Sequence, residues 1–131
     1  MREVKFRGKA KCGDYFVEGA LIQYKTSSYI LQGNPMITIG HNILAEVIEV
    51  IPETVEQFTN RLDKNGKEIF EHDIVRIEDS SNAIIEYSPL EAMFIFNFIG
   101  KWKIYGTWNT PSKWIEVIGN IHDNPELLTP S

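Results

Sequence analysis

Three histidines, one cysteine and a band of interleaved aromatic and basic residues are the groups in this chain whose chemistry reaches beyond packing. His41, His72 and His122 make no short metal-ligand spacing with one another or with Cys12. Two of them lie beside acids, in Glu71-His72-Asp73 and in His122-Asp123, and a cation could be held where those segments meet. Adjacency in sequence fixes no coordination geometry, so both read as surface corners, and no metal or other cofactor is expected. Cys12 stands alone, which rules out an intrachain disulfide, and it reads as a bystander before Gly13 in a turn. No G-x-S-x-G nucleophile pattern and no G-x-x-x-x-G-K phosphate loop occurs. The carboxylates are plentiful without any pair being marked out, and they read as a solvated acidic face. No catalytic residue is assigned, and an enzyme is not expected.

The best candidate for a binding surface is "NFIGKWKIYGTWNTPSKW", residues 97–114. Here Trp102, Tyr105, Trp108 and Trp114 interleave with Lys101, Lys103 and Lys113. Aromatic platforms beside cations are how sequence-tolerant proteins hold single-stranded nucleic acid. The competing reading is that the rings fill a small core, since large aromatics dominate small cores. The alternation in "KWKIY" favours the core reading for Trp102, because the lysines fall on the opposite face of a strand. Trp108, near Gly106 and Pro111, is the ring most expected to be exposed.

The elements that must position these groups are short strands. "EVKFR" alternates with period two, "YFVEGALIQYK" is a β-rich run, and "SYIL" and "MITI" are separate strand candidates with Gly33-Asn34-Pro35 closing the first. Gly19 inside its run signals a bulge or a close backbone approach. "NILAEVIEVIPE" carries helical spacing, but five of its residues are β-branched, so a strand is expected over 46–51, ended by Pro52. "NAIIEY", "EAMFIFNF", "KWKIYGTW" and "KWIEVIGNI" continue the pattern. Only "DNPELL" reads as helical, with Asn124 as cap and Pro125 in the first turn. The expected class is all-β, mainly strand with one or two short helices.

Residues 61–77, "RLDKNGKEIFEHDIVRI", read as architecture. Asn65-Gly66 is a hairpin turn, because both residues tolerate positive φ. A two-residue loop pairs Leu62 with Ile69 but opposes like charges. A three-residue loop opposes Asp63 to Lys67 and sets Leu62 against Glu68. Each cross-strand pair contributes roughly 0.2–1 kcal/mol, which leaves the register open. Asp73, at the start of a strand, can accept backbone N–H bonds that would otherwise be orphaned.

The stretch "ETVEQFTNRLDKNGKEIFEHDIV" resembles the signature of the YopX family of phage and prophage proteins. The matching residues are Pro52, Glu53, Thr54, Val55, Gln57, Phe58, Asp63, Lys64, Asn65, Gly66, Ile69, Glu71, Asp73, Ile74 and Val75. "REVKFRGK" and "IEVIGNIHDNPELL" resemble the family's two ends. The resemblance implies an N-terminal β lobe over 1–60 and a C-terminal SH3-like barrel lobe over 61–131, packed as one compact unit. It implies no activity. Arg61 stands where the family usually has Gly, and His72 replaces the Gly of a Glu-Gly-Asp step, which predicts positive φ at residue 72.

Net charge is -5 and unevenly placed. Arg2, Lys5, Arg7, Lys9 and Lys11 crowd the first eleven residues, whereas residues 92–115 contain lysines and no acid. The overall field disfavours indiscriminate duplex binding. No apolar run approaches the ~20 residues of a membrane helix, and the basic N-terminus has no apolar signal core, so a cytoplasmic protein is expected. The function expected is that of a phage or prophage accessory protein, non-catalytic, acting by protein–protein binding or assembly. The alternative is single-stranded nucleic-acid binding through 97–114. A homo-oligomer is expected, with contacts from the N-terminal strand or from residues 92–115.

Overall fold

The computed structural model describes residues 2–39, 42–78, 81–100, 105–106 and 110–129, and for 34–39, 42–45 and 105–106 it gives the backbone alone. The chain is all-β, in two compact units, Met1–Gln57 and Phe58–Ser131. Among the described residues there is no α-helix, only short 3-10 turns at Pro52–Thr54, Ser112–Trp114 and Pro125–Leu128. Among the same residues no helix is long and apolar enough to cross a membrane.

The first unit is an antiparallel meander of β1 (Phe6–Lys9), β2 (Phe16–Tyr24), β3 (Ser27–Ile39) and β4 (Asn42–Val50). The first residues of β5 (Glu56–Leu62) add to the other side of β1, with Arg7 opposite Glu56 and Phe6 opposite Gln57. The sheet curls until its far strand meets its beginning: Ala10 bridges Val50, and the Ile51 N–H donates to the Lys9 carbonyl (2.8 Å). Val17, Ile30 and Val50 fill the concave side, with Phe6, Leu21, Ile48 and Val55 packed around them. The β-branched composition of 46–51 prevails over its helical spacing, and Pro52 starts the 3-10 turn that ends β4. "SYIL" and "MITI" are not separate strands. β3 runs through Gly33-Asn34-Pro35, absorbing them in a register shift between Gly33 and Thr38.

β2 changes partner at Gly19. Phe6 of β1 lies opposite Gly19, while the next residue, Ala20, lies opposite Leu31 of β3. A Cβ on Gly19 would fall 2.0 Å from the Leu31 carbonyl oxygen, so the approach demands a residue without one.

The second unit contains the rest of β5, β6 (Glu68–Phe70), β7 (Asp73–Ile77), β8 (Ser81–Ser88), β9 (Met93–Phe98), β10 (Tyr105–Gly106) and β11 (Ile115–Asn120). Its five-stranded sheet has the order β10-β9-β8-β7-β11, all antiparallel. The ladders formed among the described residues run from β10 to β11 without closing, so an SH3-like closure is not among them. The β5–β6 hairpin instead fastens to β11, the Lys64 N–H donating to the Ile115 carbonyl (2.8 Å). Ile69 thereby joins Val75, Ala83, Ile85, Phe96 and Ile115 in one buried cluster.

The hairpin takes the three-residue register. Leu62 opposes Glu68, and the Asp63 N–H donates to the Lys67 carbonyl (2.8 Å). The Leu62–Glu68 mismatch costs little because Leu62 is 47% exposed and stands at the solvent side. The helix expected at "DNPELL" is a single 3-10 turn over Pro125–Leu128. Asn124 does not cap it: its Oδ1 accepts from the Asn120 N–H (3.2 Å) of the preceding turn.

His72 has φ 67, in the left-handed region. Its N–H donates to the Ile85 carbonyl (2.7 Å), and its own carbonyl accepts from the Ile121 N–H (3.1 Å), so the corner is held from both sides. A non-glycine residue in that region costs about 1–2 kcal/mol, against about 0.5–1 kcal/mol for the extra chain entropy glycine brings. His72→Gly is therefore expected to leave stability unchanged or raise it by up to about 1 kcal/mol in metal-free buffer. Urea unfolding reads this, and a clear loss of stability would refute it.

Candidate binding surface

Of the residues singled out at 97–114, Lys101, Trp102, Lys103 and Trp108 lie outside the described residues. The Tyr105 backbone pairs with Asn97 as part of β10. Trp114 is 42% exposed at the end of a 3-10 turn, with the Lys113 ammonium 5.8 Å from its ring centroid. This end of the segment is anchored by Arg61, whose guanidinium donates to the Thr110 carbonyl and to Ser112 Oγ. Burial of that guanidinium lowers its pKa from the ordinary value. Sequence reading treated Arg61 only as a departure from a glycine; it is a clamp on the residues before β11.

The turn residues have structural partners. Asp63 Oδ1 accepts from the Asn65 and Lys67 N–H groups (2.8 and 2.9 Å), and Oδ2 accepts from the Val117 N–H (2.9 Å). Gly66 takes φ 80 at the tip, and the Asn65 side chain is exposed there. Asp73, 2% exposed, accepts from the Phe70 N–H (2.8 Å).

The basic N-terminal cluster is not a free patch. Lys5 pairs with Glu3 and Glu18 (3.5 Å each), Arg7 with Glu56 (2.8 Å), Lys9 with Asp14 (2.8 Å) and Lys11 with Glu49 (3.1 Å). Nor is β1 an edge: it has β2 on one side and β5 on the other. The expected contact through the N-terminal strand therefore lacks its strand edge, and four of the five basic residues it would use are paired.

What sequence reading missed is the convex face of the first unit. Leu21, Ile30 and Ile48 share a register row on the concave side. By the alternation of strand side chains, the neighbouring rows point outward. One outward row is Ala20–Leu31–Val47, and the next is Ile22–Tyr29–Glu49, followed by Tyr24. Val47 is 58%, Ile22 40% and Tyr24 66% exposed. Among the described residues of this face, Glu49 is held by Lys11 and the Lys25 ammonium lies 5.4 Å from the Tyr24 ring centroid. The signal was present in "ALIQY" and "VIEVI": strands wet on one side alternate with polar residues, and these are apolar at successive positions.

Residues 5–129 match the family model described as YopX protein. Among solved structures the chain is similar to the crystal structure of protein EF1440 from Enterococcus faecalis, with a TM-score of 0.56 and 25% identity, covering 96% of this chain and 98% of that one. No curated protein matches the chain.

Proposed function

The chain belongs to the YopX family, and on that premise we propose that it is a non-catalytic accessory protein of phages and prophages that acts in the host cytoplasm by protein–protein assembly. The observation that carries the reading is the apolar convex face of β2, β3 and β4, with Val47, Ile22 and Tyr24 exposed in three successive outward rows. Contiguous exposed apolar surface on a folded sheet is what an interface covers. The occupant it fits is a second copy of this chain, face to face, because among the described residues the face is apolar, Glu49 is paired with Lys11 and the Lys25 ammonium lies against the Tyr24 ring. A face that sought a charged partner would leave charge unspent.

Light scattering coupled to size exclusion is expected to give more than one chain per particle at micromolar concentration, at low and at raised salt alike, because apolar contacts are not screened. Tyr24→Glu and Val47→Glu are expected to yield single chains whose circular dichroism matches the parent's and whose melting temperature no longer rises with concentration. A single-chain mass for the parent protein, or variants that stay associated, would sink the reading.

A second reading, single-stranded nucleic-acid binding, has Trp114 and the Lys113 ammonium beside its ring in its favour. It predicts quenching of tryptophan fluorescence by an oligothymidylate, abolished by raised salt. Fluorescence that does not respond to the oligonucleotide would count against it.

A further inference from the structure

Two histidine corners, far apart in sequence, are brought together in the second unit. β7 and β11 pair with Asp73 opposite Asn120, which sets the Glu71-His72-Asp73 corner beside the Ile121-His122-Asp123 turn. A backbone bond from the Ile121 N–H to the His72 carbonyl (3.1 Å) joins them. His72 and His122 are both half-buried, and a ring nitrogen of each lies within 4.8 Å of the other. We propose that this pair is a binding site for a divalent ion of the zinc, nickel or copper kind.

Geometry supports it first. Two imidazole nitrogens on one tetrahedral Zn²⁺, each at about 2.0–2.1 Å, stand roughly 3.4 Å apart, a distance small ring rotations would reach from the one observed. Both rings also come from fixed backbone. His72 is held in the left-handed region, φ 67, by hydrogen bonds on both its N–H and its carbonyl. His122 sits in a turn organised by Asn120, whose Oδ1 accepts from the N–H groups of His122 (3.0 Å) and Asp123 (2.9 Å). Asn120 Nδ2 in turn donates to Asp123 Oδ2 (3.2 Å). Strained backbone held in place by its surroundings clusters at binding sites, and rigid donors lose little freedom when a metal arrives.

Chemistry decides the class of ion. Imidazole pairs suit zinc, nickel and copper, whereas magnesium and calcium seek oxygen ligands. Glu71 and Asp123 flank the two histidines in sequence, which adds negative charge near a divalent cation. An ion shared by the two corners would cross-link β7 to the turn after β11, so binding would stabilise the folded unit.

The test is titration of tag-free, chelator-stripped protein with Zn²⁺ alone, read by calorimetry and by melting temperature. One ion per chain is expected, with a rise in melting temperature, and Mg²⁺ is expected to do neither. His122→Gln and His72→Gly should each weaken Zn²⁺ at least roughly tenfold, since even loss of an outer-shell partner costs 10–100-fold. His72→Gly relieves backbone strain, so its folding is not in question, and its circular dichroism should match the parent's. Cys12→Ser should bind as the parent does. Absence of Zn²⁺ uptake up to millimolar concentration overturns the proposal, as does an affinity unchanged in both histidine variants.

Discussion

Asp63→Ala is expected to destabilise the second unit by about 3–5 kcal/mol, because one buried carboxylate satisfies three backbone donors in two different elements. Asp63 is 5% exposed. Its Oδ1 closes the Asn65-Gly66 turn, and its Oδ2 takes the Val117 N–H, beside the irregularity in β11 between Val117 and Gly119. Alanine would remove the acceptor that all three N–H groups share, and the one on Val117 belongs to a part-buried strand residue. It would also weaken the fastening of the hairpin to β11, which retains the Lys64 N–H bond to Ile115 and the Lys64–Glu116 ion pair. Urea titration with an unchanged slope would read the loss as a shift in midpoint. A change under about 0.5 kcal/mol would mean that water replaces the carboxylate and that the turn is not held this way.

The same residue predicts an acid limb. Burial pushes the Asp63 carboxyl up, but the N–H groups of Val117, Lys67 and Asn65 and the charge of Lys67 outweigh it, and the pKa falls below the ordinary 3.8. A folded-state value below the unfolded one means that the unfolded chain binds the proton more tightly. The stabilisation is therefore complete above the unfolded value and is lost as pH falls through the folded one. Asp63→Asn, which offers one acceptor oxygen and an amide group with two N–H donors, should be less stable than the parent at about pH 6, with the gap narrowing below about pH 4. A gap that stays constant down to the acid transition would show that charge is not what the three N–H groups seek.

Much of this was legible in the sequence, and the parts that were not have physical reasons. Asn65-Gly66 announced the turn, but its two registers differed only by pair energies of tenths of a kcal/mol. The three-residue register lets Asp63 Oδ1 take the Asn65 and Lys67 N–H groups while Oδ2 reaches the Val117 N–H, fifty-four positions away, and that last bond no local pattern contains. Gly33-Asn34-Pro35 looked like a chain reversal because those residues form turns; a long strand can also spend them in a bulge. The N-terminal basic cluster read as a patch partly because two of its acids are distant in sequence: Glu56 arrives on β5 beside β1, and Glu49 through the curl of the sheet. The convex face was overlooked for a related reason. An apolar residue on each side of a strand says that both sides can be covered, and the chain alone does not say that one of them stays bare.

Gly19→Ala is expected to be about as damaging to the first unit, at about 3 kcal/mol or more, because the added carbon has nowhere to go. Its Cβ would lie 2.0 Å from the Leu31 carbonyl oxygen and 2.9 Å from the carbonyl carbon. Both are backbone atoms in a paired strand, so the clash cannot be relieved by turning a side chain. Gly66 makes the contrast: with φ 80 but nothing within 4 Å of a built Cβ, Gly66→Ala should cost only the left-handed penalty of about 1–2 kcal/mol. Gly19 is also where β2 passes from β1 to β3, one residue before the Ala20–Leu31–Val47 row. Forcing the strands apart there would displace the row that the proposed self-association uses. Gly19→Ala should thus lose association and also the stability of the single chain, whereas Tyr24→Glu should lose association and only the concentration-dependent part of the melting temperature. Should Gly19→Ala melt within a degree or two of the parent, the approach of β2 to Leu31 is looser than described, and the partner change at Gly19 does not fix the convex face.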